Sequence, residues 1–144
     1  MKKTDAGKTA ADFKIGDYCE KTAWITQENA VLYARITGDQ NPIHFETPEA
    51  YQSRYKRPIA HGMILAGLIS GVIGMDLPGV GCIYASQSLK FLKPVYYGDK
   101  ITASVEIIDI DADRNRITLR TDCRNADNKL VLTGEAVVLP GKAE

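Results

Sequence analysis

At 144 residues the chain is long enough for one domain with a real core and too short for two. Lysines and arginines number 18, as do aspartates and glutamates, so the formal net charge is zero; no net field draws the chain to nucleic acid or an anionic membrane, and a small-molecule partner is expected. Three widely spaced cysteines, Cys19, Cys82 and Cys123, fit neither a disulfide framework nor a metal cluster and suit a reducing, cytoplasmic setting.

The charged start, Met1 to Lys8, has no apolar stretch behind it and does not read as a secretory signal. Residues 1–12 are expected to be a loosely ordered segment of a single domain spanning 1–144. A first strand is predicted near Tyr18 to Trp24. Thr26 then stands as the N-cap of a helix running to about Thr37, ended by Gly38 in a left-handed conformation. Pro42 cannot continue that helix, so Gly38 to His44 must turn. Thr47, Pro48 and Glu49 open a short second helix to about Tyr55, with a capping hydroxyl, a proline at the first helical position and an acid in the first turn.

Gly62 to Met75 is apolar nearly all round and predicts a buried helix with no solvated face. It falls short of the roughly 20 residues a bilayer span needs. Within it Gly67 and Gly71 are expected to permit close packing against a sheet. The period then changes from 3.6 to 2. Apolar and polar residues alternate in four runs: Ile83 to Phe91, Ile101 to Ile107, Ile117 to Cys123, and Leu130 to Val138 after the Asp127-Asn128 turn. Early helices and late strands make an α+β domain, an antiparallel sheet with the apolar helix across one face.

The segment Gly38-Asp39-Gln40-Asn41-Pro42-Ile43-His44 sets a carboxylate and an imidazole at the two ends of a tight turn. Asn41, ahead of proline, is confined to extended conformations, which stiffens the bend. Such a pair suits hydration of a 2-enoyl thioester: water needs a base to attack the β carbon, and the α carbon needs a proton. An isolated Asp and His are also read more plainly, as a turn cap and a half-buried loop residue. Gly62 opens the apolar helix, where unpaired amides at the positive end of the dipole can hold a thioester oxygen; a glycine chosen for close packing against the sheet is the alternative. His61 is assigned a structural role, with a catalytic one as the weaker option. Ser70 is expected to be a buried hydroxyl, bonded to the dyad or back to its own helix. Arg54, Lys56, Arg57, Lys90 and Lys93 are candidates for coenzyme A phosphates or simply a solvated surface.

The string Tyr33 to His44, followed by Arg57-Pro58-Ile59-Ala60-His61-Gly62-Met63, closely resembles the MaoC-like (R)-specific enoyl-CoA hydratases. The likeness continues through Ile83 to Phe91, Pro94-Val95, Gly98-Asp99 and Thr133 to Ala136. It implies a hotdog fold, in which an antiparallel sheet wraps a central helix, and a homodimer. It also implies addition of water to trans-2-enoyl-CoA giving the (R)-3-hydroxyacyl-CoA, with Asp39 and His44 as the catalytic dyad and Gly62 N–H polarising the thioester. Ser70 matches a family serine near the dyad and Ile73 an acyl-pocket position; we count Asn41 with Gly62, Ser70 and Ile73 in the oxyanion and substrate-binding set. No metal and no separate cofactor are expected, coenzyme A being part of the substrate. One rival keeps the chemistry on 3-hydroxyacyl chains of acyl carrier protein. A thioesterase of the same fold is disfavoured because no carboxylate occurs between Gly62 and Met75, and a non-catalytic acyl-thioester binding protein because the dyad is intact.

Overall fold

The computed structural model describes residues 7–141. Its elements in chain order are β1 (Tyr18–Trp24), α1 (Gln27–Thr37), α2 (Pro48–Gln52), α3 (Gly62–Met75), β2 (Ile83–Gln87), β3 (Lys90–Phe91), β4 (Lys100–Asp111), β5 (Arg116–Arg124) and β6 (Leu130–Leu139), with short 3₁₀ turns at Ala10–Asp12 and Pro42–His44. The strands form one antiparallel sheet in the order β1-β4-β5-β6-β2, and β3 pairs with β6. α3 packs across one face, against β1, β4 and β5. This is the hotdog arrangement that the sequence predicts.

The period-2 pattern fixes which face each strand buries. Ile101, Ala103, Val105 and Ile107 of β4 and Ile117, Leu119 and Cys123 of β5 turn inward onto Leu65, Ile69, Val72 and Ile73 of α3. Fully burying one such aliphatic side chain contributes about 1.5–3 kcal/mol. Two inward positions break the simple alternation. Thr121 is fully buried in the apolar row of β5 because its hydroxyl takes a hydrogen bond from Gln87 Nε2 at 2.8 Å. On β6 a register shift opposite Cys123 and Arg124 buries Val131 beside Leu132.

Three expectations need correction. Ile83, Ala85 and Phe91 do not form a half-buried row: Ile83 is 62% and Phe91 52% exposed, and Ala85 is exposed too. β2 is the terminal strand of the sheet, and its ladder to β6 shifts register between Tyr84 and Ser86, so its side chains find no second layer. Nor is α3 buried all round. Its one face is core, but Met63, Gly67, Ser70, Gly71 and Met75 lie along an exposed stripe, and the Gly67 and Gly71 α carbons look into open space instead of the sheet. Finally, the N-terminal segment is partly docked. Ala10 is fully buried and its N–H donates to Asn115 Oδ1 at 2.8 Å, while Phe13 joins the core; residues 1–6 lie outside the described residues.

Gly134 on β6 shows how closely the chain crosses itself at the β2–β3 bend. A Cβ there would sit 1.9 Å from the Ser88 carbonyl oxygen. Gly134→Ala is therefore expected to lower stability by at least about 2–3 kcal/mol, an overpacking cost against rigid backbone. A urea midpoint shift of under about 1 kcal/mol equivalent would show that the bend yields freely.

Candidate active site

Residues 37–44 are shaped by short-range hydrogen bonds and then anchored by long-range ones. Gly38 ends α1 at φ 79°, the left-handed cap that lets its N–H donate to Ala34 C=O. The Thr37 hydroxyl donates to Tyr33 C=O at 2.8 Å and accepts from Asp39 N–H at 3.1 Å. Asp39 Oδ1 accepts from Asn41 N–H at 3.2 Å, and Asn41 Oδ1 caps the 3₁₀ turn by accepting from Ile43 N–H at 3.2 Å. Asn41 thus builds the bend, and its side-chain oxygen is spent on it. The Thr47 hydroxyl closes the far side on Pro42 C=O at 2.7 Å.

Long-range contacts then aim the imidazole of His44. Its Nδ1 lies 2.8 Å from Ile59 C=O. A carbonyl only accepts, so Nδ1 carries the hydrogen and Nε2 keeps its lone pair. Tyr97 braces the same backbone, its hydroxyl donating to His44 C=O at 2.7 Å and Ile59 C=O at 3.2 Å; burial pushes that phenol up to about 12. Ile59 N–H donates to Ile43 C=O, and Ala60 N–H to Val95 C=O, which ties the turn to the start of α3.

His61 belongs to this cluster, a closer part than the structural role expected of it. It is 2% exposed, and its ring stacks on His44 with centroids 3.7 Å apart and planes at 27°. Tyr33 tilts against its other surroundings at 4.5 Å. Its Nε2–H donates to Asp39 C=O at 3.1 Å and lies 3.9 Å from Asp39 Oδ2, while buried Nδ1 has no partner among the described residues. Nothing in the local sequence around His61 signals the stack, which is made by residues 17 positions apart. Ring nitrogens of both histidines and a carboxylate oxygen of Asp39 lie within 4.8 Å of one another. Such a set invites a metal, but two stacked imidazoles direct their lone pairs in nearly parallel planes, not at one ion about 2.0–2.1 Å from each, and His44 Nδ1 is already engaged. The arrangement suits proton transfer better.

Gly62 opens a cavity of about 380 Å³ that it shares with His44; Met63, Leu65, Phe91, Val95 and Val131 supply apolar lining. His61, the residue before α3, offers no side-chain cap; Ile64 N–H donates to His61 C=O at 3.1 Å, and the Gly62 amide stands at the positive end of the helix with no capping side chain on it. A Cβ at Gly62 would meet the Phe91 ring at 2.6 Å, which gives the glycine a packing reason as well. Asp39, whose side chain is 45% exposed, lies within 4.8 Å of a ring nitrogen of each imidazole of the pair. Two members of the substrate-binding set lie elsewhere in this chain. Ser70 is exposed, eight residues and so about 12 Å along α3 from Gly62. Ile73 is fully buried in the core and outside the cavity lining, where Met63, Leu65 and Val131 take the place expected of it.

Burial holds the His61 pKa below its ordinary 6.5, with the neighbouring His44 pushing the same way against the pull of Asp39. The unfolded chain therefore takes up a proton near pH 6.5 that the folded chain refuses, and stability falls as pH drops through 6.5 toward the lowered folded value. His61→Phe keeps a ring against His44 and removes that titration. Melting temperatures at pH 7.5 and 5.5 should converge in the variant relative to the wild type; an unchanged difference would mean His61 is not held neutral.

A family model described as a MaoC like domain matches residues 14–128. An (R)-specific enoyl-CoA hydratase of Rhodospirillum rubrum is 41% identical over 128 residues, covering 89% of this chain and 88% of that protein. A mitochondrial 3-hydroxyacyl-[acyl-carrier-protein] dehydratase of Arabidopsis thaliana is 32% identical over 129 residues, 88% of this chain and 76% of that protein. Among solved structures, the unliganded R-hydratase PhaJ1 of Pseudomonas aeruginosa superposes with a TM-score of 0.87 at 34% identity, covering 94% of this chain and 86% of that one.

Proposed function

The chain belongs to the MaoC-like domain family, and from that premise we propose that it is an (R)-specific enoyl-CoA hydratase, a hydro-lyase that adds water reversibly to trans-2-enoyl-CoA. The observation that carries this reading is the meeting of Asp39 and His44 within 4.8 Å, beside a cavity that opens on the first amide of α3. One water held between the Asp39 carboxylate and His44 Nε2 gives up a proton to the pair as its oxygen bonds to the β carbon. The π electrons shift toward the thioester, whose oxygen gains negative charge beside Gly62 N–H. The pair then delivers a proton to the α carbon, giving the (R)-3-hydroxyacyl-CoA. The two groups share one water and act as a unit, so neither is singled out as acid or base. The absence of any carboxylate on α3 speaks against a thioesterase built on this helix.

The reading extends to the assembly. No helix of the described residues is long and apolar enough to cross a membrane, and the reduced thiols fit a cytoplasmic enzyme. Among the described residues the outer edge of β2 is unpaired, exposed Ile83, Tyr84, Phe91 and Leu92 flank it, and α3 bares Met63 and Met75. An edge of this kind invites another strand. A second copy of the chain is its occupant in this proposal, and it would also shield the half-exposed Asp39 from bulk water.

Asp39→Asn and His44→Gln are each expected to slow hydration of crotonyl-CoA by about 10²–10⁴-fold, the usual contribution of a general acid or base, followed as loss of the conjugated thioester absorbance. Near-normal turnover in either variant would remove that residue from the mechanism. Sedimentation equilibrium should return twice the chain mass, and Ile83→Lys should shift it toward the single chain; a wild-type monomer would rule out the dimer.

A further inference from the structure

A second recess adjoins the site. Its volume is about 560 Å³, and it shares Lys93 and Pro94 with the cavity that holds His44 and Gly62. It lies where β1 ends and β4 begins, with Trp24 and Lys100 directly opposite in the ladder. Arg57, Lys93, Lys100 and Lys129 line it, against two acids, Asp99 and Asp127. Four cations against two acids is a local excess of positive charge in a chain whose total is zero. Asp99 is partly spent, since its Oδ2 accepts from Tyr96 N–H at 2.9 Å. None of the four cations forms an ion pair with a described residue. Two aromatic faces stand among them: the Arg57 guanidinium lies 3.5 Å over Tyr96, and the Lys100 ammonium 5.7 Å from the ring of Trp24, which is 63% exposed.

We propose that this recess seats the nucleotide end of coenzyme A, the 3′-phosphorylated ADP, while the pantetheine arm passes Lys93 and Pro94 to the thioester beside Gly62. This rests on the reading of the substrate as a coenzyme A thioester. Phosphates call for unpaired cations, with Arg57 pre-set by its stack on Tyr96. A purine calls for an exposed aromatic face, and Trp24 presents one beside the cations. A carrier protein would need the positive charge but neither the recess nor the indole, so the combination favours the nucleotide.

The test compares crotonyl-CoA with crotonyl-pantetheine and crotonyl-acyl carrier protein in the wild type, Lys100→Glu, Lys129→Glu and Trp24→Ala. Each charge reversal is expected to cut the kcat/KM preference for crotonyl-CoA over crotonyl-pantetheine about tenfold or more, the size of one lost charge-assisted contact, and to do so through KM. An unchanged preference overturns the proposal, as does a loss confined to the carrier-protein substrate. Calorimetry with adenosine 3′,5′-bisphosphate tests the recess without turnover. Binding to the wild type that weakens in the same three variants supports it even if no thioester is hydrated, in which case the hydratase reading fails separately. No binding to the wild type sinks it.

Discussion

A single hydrogen bond decides what His44 can do. With Nδ1–H committed to the Ile59 carbonyl at 2.8 Å, the imidazole is fixed both in tautomer and in direction, and the nitrogen left with a lone pair is the one free to take a proton from water. Ile59 is itself a fixed point, because its carbonyl also receives the Tyr97 hydroxyl and its amide returns to Ile43. The basic nitrogen, the carboxylate at the other end of the turn and the first amides of α3 therefore keep one geometry. Loosening that acceptor would let the ring swing, and in the proposed mechanism His44 would then no longer share a water with Asp39 beside the thioester held at Gly62.

His61 adds a second constraint on the same ring. Stacked on His44 and bonded to the Asp39 carbonyl, it ties the two ends of the turn together from beneath. Its burial keeps it neutral. The ring stacked on His44 is thus uncharged where the proposed mechanism places proton transfer.

The parts of this arrangement that are local were legible in the sequence. Thr26, Gly38, Pro42 and Pro48 mark the helix ends where they occur, and the turn from Asp39 to His44 closes through side chains within its own length. The core rows of β4 and β5 followed from alternation alone. What could not be read depends on partners distant in the chain. Tyr97 reaches the site across 53 positions from His44, and no local pattern distinguishes it from Tyr96 beside it. His61 looked like packing because an apolar run follows it, yet the stack with His44 exists only in the folded chain. Ser70 and Ile73 came from family likeness along α3, where they sit one turn apart across the boundary between the exposed stripe and the core, Ser70 at the surface and Ile73 buried. β2 misled for a physical reason: alternation reports a pleat, not whether a second layer covers it.

The central claim is that a rigid bend brings a carboxylate and a lone-pair nitrogen to one oxygen beside a polarised thioester. A crystal structure of the protein with bound (R)-3-hydroxybutyryl-CoA tests it most directly. The account predicts the 3-hydroxyl oxygen at hydrogen-bond distance, about 2.6–3.2 Å, from both the Asp39 carboxylate and His44 Nε2, with the thioester oxygen on Gly62 N–H. A hydroxyl touching only one of the two side chains, or a thioester oxygen turned away from the start of α3, would contradict it.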